Sequence, residues 1–169
     1  MSIQSPTSVP GYFQFYIDEV IEKDLTTAFI NQSQIIKDFF PAISEEKSTY
    51  AYEAGKWTLK EVLQHLIDTE RIFTYRALCF SRKEILVLPG FDENTYAANS
   101  AANDRTWESL LDELVAVRRS TLFLFDSFNQ EMLQNSGSAN TNIFSVEKIG
   151  FIIIGHFNHH KKIIEQRYL

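Results

Sequence analysis

Four histidines are the residues of this chain best placed to do chemistry: His65, and a cluster of His156, His159 and His160 near the C-terminus. His156 and His160 are four positions apart in a segment with helical periodicity, which stacks their imidazoles on one face about a turn apart. At that spacing two side chains share a divalent ion in helical zinc-enzyme motifs. His65, in a second helical segment, can supply a third nitrogen. Three protein ligands with the remaining positions left to water make a catalytic metal site rather than a structural one.

At about 100° per residue, His156 falls within the apolar stripe of Ile149, Ile152, Ile153 and Ile163. His160 lies roughly 40° to one side of that stripe and His159 roughly 60° to the other. The cluster therefore faces the interior of a helical packing or its rim, where neutral imidazoles need polar partners. A shared ion is one solution. Hydrogen bonds to core tyrosines or carboxylates, or a wet helix end, are alternatives that spacing leaves open. The stripe around His65 holds Thr58, Glu61, Asp68, Thr69 and Ile72. Glu61 and Asp68 are candidates to orient an imidazole, with helix capping and plain solvent exposure as their other readings. Cys79 shares the angular direction of His65 but sits roughly 21 Å further along a straight helix, so it reads as a core cysteine.

The elements that must position these residues are legible in caps and periodicity. Residues 1–10 read as an N-terminal arm and residues 11–169 as one helical domain. Tyr12 to Val20 reads as a short helix packed across the ends of others. Asp24 caps a helix that Pro41 stops near Phe40. Residues 41–56 read as a connection with Tyr50 and Tyr52 packed beneath it. Thr58 and Glu61 form a capping-box pair, Trp57 precedes them, and the helix runs to about Phe80. Residues 81–104, with Pro89-Gly90 and one short helix near 93–99, make a long connection of the kind that covers a site. Arg76, Asp92, Tyr96 and Asn99 are candidates to line a pocket there. Thr106 caps a third helix to about Phe128, residues 129–144 read as a polar loop, and Ser145 caps the last helix. Four long amphipathic segments without strand alternation predict an all-α four-helix bundle.

Composition bounds the function. Of 169 residues, 44% are hydrophobic and 14% aromatic, which suits a packed globular chain. The net charge of −6 leaves no basic footprint for nucleic acid. Arg118-Arg119 and Lys161-Lys162 are isolated pairs and read as solvated helix faces. A single cysteine rules out an internal disulfide framework and suits a reducing compartment. The start, MSIQSPTSVPGYF, lacks the marks of a secretory signal, and the apolar run Phe151 to Ile154 is far too short to span a bilayer. A soluble cytoplasmic protein is expected. No Gly-rich phosphate loop, nucleophile elbow or CxxC motif is present.

Three stretches carry a family likeness: GKWTLKEVLQHLIDTERIFTYRAL (Gly55 to Leu78), LPGFDENTY (Leu88 to Tyr96) and GHFNHHKKIIEQRYL (Gly155 to Leu169). Together they resemble the DinB/YfiT-like superfamily from about Pro10 to the C-terminus. The resemblance implies a four-helix bundle in up-down-down-up order. It implies a divalent ion, zinc or nickel, on one histidine of the second long helix and the HxxxH pair of the last. Carried over, the ligands are His65, His156 and His160, with His159 as a neighbour. Relatives that transfer low-molecular-weight thiols imply a metal-dependent enzyme that conjugates such a thiol to a small electrophilic substrate. A metal-dependent hydrolase and a non-enzymatic metal-binding or sensing bundle are the alternatives. Relatives also imply a homodimer, although no heptad seam supports one.

Overall fold

The computed structural model describes residues 11–169, so the expected arm at residues 1–10 lies outside the described residues. Helix α1, Gly11–Asp18, is short and aromatic. The Asp24 side chain accepts from the Thr27 amide at 2.8 Å and starts α2, Leu25–Phe39, which tightens into a 3₁₀ turn at Phe40–Ala42 around Pro41. A four-residue helix, α3 (Glu45–Ser48), interrupts the following connection. The expected capping box opens α4, Leu59–Ser81: the Glu61 amide donates to Thr58 and the Thr58 amide donates to the Glu61 carboxylate at 2.7 Å. Helix α5, Glu93–Asn99, lies within the long connection. Thr106 then caps α6, Trp107–Asp126.

Residues 129–144 depart from the expected polar loop. They form a short helix, α7 (Gln130–Gln134), and a hairpin of β1 (Ser136–Ala139) and β2 (Asn142–Ser145), with Ala139 opposite Asn142. The two turn residues, Asn140 and Thr141, both take positive φ (44° and 68°), as a tight two-residue hairpin requires. Four-residue strands give too little alternation to be read from sequence. Gly137 marks the reason the hairpin docks: a Cβ there would lie 2.1 Å from the Phe80 ring, so only glycine lets β1 lie on α4. Ser145 caps the last helix, α8 (Val146–Arg167), and the strand-like run Phe151 to Ile154 is helical.

Side-chain contacts establish the order of the bundle. Along α4 and α8 the pairs run in opposite senses: Trp57 meets Tyr168, His65 meets His156, and Phe73 meets Phe144 just before α8. Helices α4 and α6 run parallel, with Arg71 on Glu113, Glu70 on Arg118 and Thr74 on Thr121. Helix α2 runs antiparallel to α6, Gln32 meeting Arg118 and Phe40 meeting Trp107, and parallel to α8. The result is up-down-down-up. Two parallel neighbours, α4 and α6, need a crossover along the bundle, which residues 82–106 provide.

Buried residues form two apolar clusters. One gathers Phe29, Phe80, Phe125, Phe144 and Ile152; the other gathers Phe40, Leu63, Trp107, Leu114 and Phe157. Arg118 corrects the expected solvated face. It is 2% exposed and donates through Nε and Nη2 to both oxygens of Glu70 (2.9 and 2.8 Å) and through Nη1 to Gln32. Its carboxylate partner comes from a helix 48 positions earlier, which no local pattern reveals. Arg119 and Lys162 do lie toward solvent, whereas Lys161 is half-buried with Nζ 4.7 Å over the Phe39 ring. Among the described residues no helix is long and apolar enough to cross a membrane.

Candidate metal centre

The histidines sit where α8 passes between the two clusters and faces the N-terminal half of α4. On α8, His156 lies in the buried stripe and His160 is one turn on, with ring centroids 4.6 Å apart. On α4, His65 follows the capped start, and its centroid is 4.9 Å from each of the other two. One ring nitrogen from each of the three lies within 4.8 Å of the others. The Nε2 atoms of His65 and His156 are 3.0 Å apart. Two bare lone pairs at that distance repel, so the pair needs either a shared proton or a shared cation. Metal–nitrogen bonds of about 2.0–2.1 Å place neighbouring ligand atoms at roughly this separation.

The surroundings favour neutral rings. Burial pushes His65 down to about 4. Burial, then repulsion from neighbouring imidazoles, holds His156 and His160 well below the usual histidine range. Each therefore offers a free lone pair at neutral pH, the form that binds metal. Trp57 packs on His65 at 4.9 Å between centroids, and Thr69 Oγ1 makes a long 3.5 Å contact with His65 Nδ1, leaving Nε2 toward His156. Glu61 and Asp68 make their hydrogen bonds elsewhere than to an imidazole: Glu61 closes the capping box and Asp68 accepts from Gln64 at 2.8 Å. Cys79 is half-buried against the first cluster, away from the site.

A cavity of about 330 Å³ opens beside the three rings. Its apolar walls are Phe13, Phe73 and Phe144, and α1 closes one side with Tyr16, whose ring meets His156 edge-on at 5.3 Å. Burial raises the Tyr16 hydroxyl far above its usual range, so it stays protonated. His159 stands outside the three-nitrogen group but lines the same cavity, edge-on against Phe15 and Tyr16. Of the four expected pocket residues only Arg76 reaches this cavity. Asp92 caps α5 by accepting from Thr95, Tyr96 rests on Phe91 half in solvent, and Asn99 donates to Thr95 O. The long connection contributes Gly90, Phe91 and Glu93 instead, and the hairpin contributes Asn140 and Asn142. Sequence reasoning missed Tyr16, Trp57 and the hairpin as site residues. Gly155 was the available signal for Tyr16: a glycine inside a helix marks close approach, and a Cβ there would lie 1.7 Å from the Tyr16 carbonyl oxygen.

Fold and site define a helical bundle with three convergent imidazoles at the base of a cavity. The model of the DinB superfamily matches residues 31–164, and the chain belongs to that superfamily. Among solved structures it is similar to YfiT from Bacillus subtilis, described as a probable metal-dependent hydrolase with an unusual four-helix bundle topology. That likeness has a TM-score of 0.65 at 13% identity and covers 96% of this chain and 92% of YfiT. No curated protein matches the chain.

Proposed function

We propose that this protein is a divalent-metal-dependent enzyme acting on a small molecule, with the ion held by His65, His156 and His160. The observation that carries this is the meeting of three neutral imidazoles, those of His65 and His156 buried and that of His160 half-buried, at the base of an open cavity. A sensing or structural bundle would seal its ion; here about 330 Å³ of space adjoins the rings. When bound, a divalent ion on three neutral ligands supplies Lewis acidity and a nucleophile active near neutral pH. The chain supplies the rest. Trp57 and Thr69 restrain His65, Phe73 and Phe144 exclude water from the cavity wall, and the Tyr16 hydroxyl keeps its proton beside the rings.

Hydrolysis is the reaction class placed first, because YfiT is described in those terms and nothing in the cavity is particular to a thiol. Transfer of a low-molecular-weight thiol to an electrophile remains the second reading, carried by the family likeness. The same proposal includes zinc or nickel as the ion, no nucleic-acid partner, a cytoplasmic setting and a homodimer. The test begins with elemental analysis of purified wild type against His156→Ala. It continues with zinc- and nickel-loaded wild type on ester and amide panels, and separately on thiols with an electrophile. One equivalent of metal, lost in the variant, with turnover in the hydrolytic panel is the expected outcome. A metal content that His156→Ala leaves intact removes the site; turnover only in the thiol panel replaces the reaction class.

A further inference from the structure

Among the described residues two arginines are buried, Arg76 and Arg118, and only Arg118 has a carboxylate partner. Arg118 is held by both oxygens of Glu70. Arg76, on α4, is 5% exposed, yet among the described residues no carboxylate lies within 4.0 Å of it. Among the described residues its hydrogen bond runs from Nη2 to the Pro89 carbonyl oxygen at 2.9 Å, and it lies 5.0 Å over the Phe73 ring. A guanidinium has five N–H donors in a planar fork. A largely buried guanidinium with one neutral partner keeps its other donors only where the cavity reaches them, and an anion there would complete it.

The remaining donors have somewhere to point, because Arg76 lines the cavity that contains the three histidines. It is also held in place. Leu88 pairs with the hairpin on both sides, its amide donating to Ser138 O at 2.9 Å and its carbonyl accepting from the Asn140 amide at 3.0 Å. Gly90 packs so closely on Asn140 that a Cβ would come within 2.7 Å of that side chain. Pro89, between these two anchors, therefore presents a fixed acceptor. Asn140 and Asn142 line the same wall, with Asn142 Nδ2 donating to the Asn140 carbonyl oxygen at 3.0 Å.

We infer that Arg76 is the anchor for a carboxylate on the substrate, whose reacting group then lies at the three histidines. This rests on the cavity being the substrate site, as proposed above. Helical rise puts residue 76 about 16 Å beyond residue 65, and arginine leans toward the helix start, leaving about 10 Å between guanidinium and imidazoles. The substrate class is accordingly a small carboxylic acid with its labile bond at the far end from the acid. A carboxylate is favoured over a phosphate dianion because one guanidinium neutralises one charge and Glu93 stands exposed on the same cavity.

The test uses 4-phenylbutanoate and its uncharged amide as probes, titrated calorimetrically into metal-stripped and zinc-loaded full-length protein. Wild type should bind the acid about tenfold or more tightly than the amide in the metal-stripped state, where a metal cannot attract it. Arg76→Gln should erase that preference and Arg76→Lys should keep part of it, with the thermal midpoints followed as a check on folding. Equal binding of acid and amide by metal-stripped wild type, which needs no variant, overturns the inference. The two proposals fail separately. Zinc bound at the histidines with no acid preference removes the anchor alone, whereas acid preference without any metal binding removes the metalloenzyme alone.

Discussion

If His65, His156 and His160 hold an ion as proposed, their neutral rings are ligands held ready, and this has two measurable consequences at the scale of single residues. Alanine at position 65, 156 or 160 removes one of three nitrogens. Each should weaken zinc binding by more than the about 10–100-fold that follows loss of an outer partner, as measured by chelator competition. His159→Ala should leave the stoichiometry at one, since its ring stands outside the group. The second consequence concerns pH. Folded His65 is held down to about 4 against an ordinary value of 6.5. The unfolded chain therefore takes up protons that the folded, metal-stripped protein refuses as pH falls from 6.5 to 4. Stability should fall across that window, on the order of 3 kcal/mol for His65 alone, in urea melts of chelator-treated protein. A flat profile would show that the ring is not buried. The three histidines were legible because imidazoles are few and the i, i+4 pair needs no knowledge of the fold. Arg76 and Arg118 were not distinguishable in sequence, because what separates them is a carboxylate delivered by another helix.

Elements were legible where a local cap or stop exists. Asp24, Thr58, Thr106 and Ser145 each accept a backbone amide at the start of a long helix, and Pro41 ends α2. The hairpin was illegible for the opposite reason: its strands are short, and its position is decided by the Phe80 ring against Gly137. Helix α1 was expected to lie across the ends of other helices, but its backbone instead meets α8 at Gly155, one residue before His156. Gly155→Ala should gain about 1 kcal/mol of helix propensity and lose about 1–3 kcal/mol from overpacking. The Tyr16 carbonyl is backbone and cannot rotate aside, so the loss should prevail and α1 should lift. Limited proteolysis should then cut within residues 11–20 while zinc stoichiometry stays at one. Protection equal to wild type would mean that α1 is not seated on that glycine.

At the scale of the whole molecule, the question is what fixes one packing of four similar helices. Apolar stripes alone allow several, since each of the four long helices carries buried apolar side chains that a different neighbour could cover. The Arg118 group ties α6 to α4 through Glu70 and to α2 through Gln32, and Gln32 reaches α8 through the Ile154 carbonyl at 2.9 Å and Asn158 at 2.7 Å. All four helices therefore meet in one hydrogen-bonded network beneath the histidines, and a small void between Glu70 and His156 places it directly behind the site. Breaking the ion pair from one side leaves a buried charge, so Glu70→Leu should cost about 3–5 kcal/mol in urea denaturation. Replacing both partners, Glu70→Leu with Arg118→Met, removes the charges together and should cost less than the single change. If the network also selects the packing, the double variant should keep much of its stability yet lose zinc affinity, because α4 and α8 no longer hold their rings in register. A double variant that keeps both stability and wild-type zinc affinity would show that the apolar clusters alone specify the bundle.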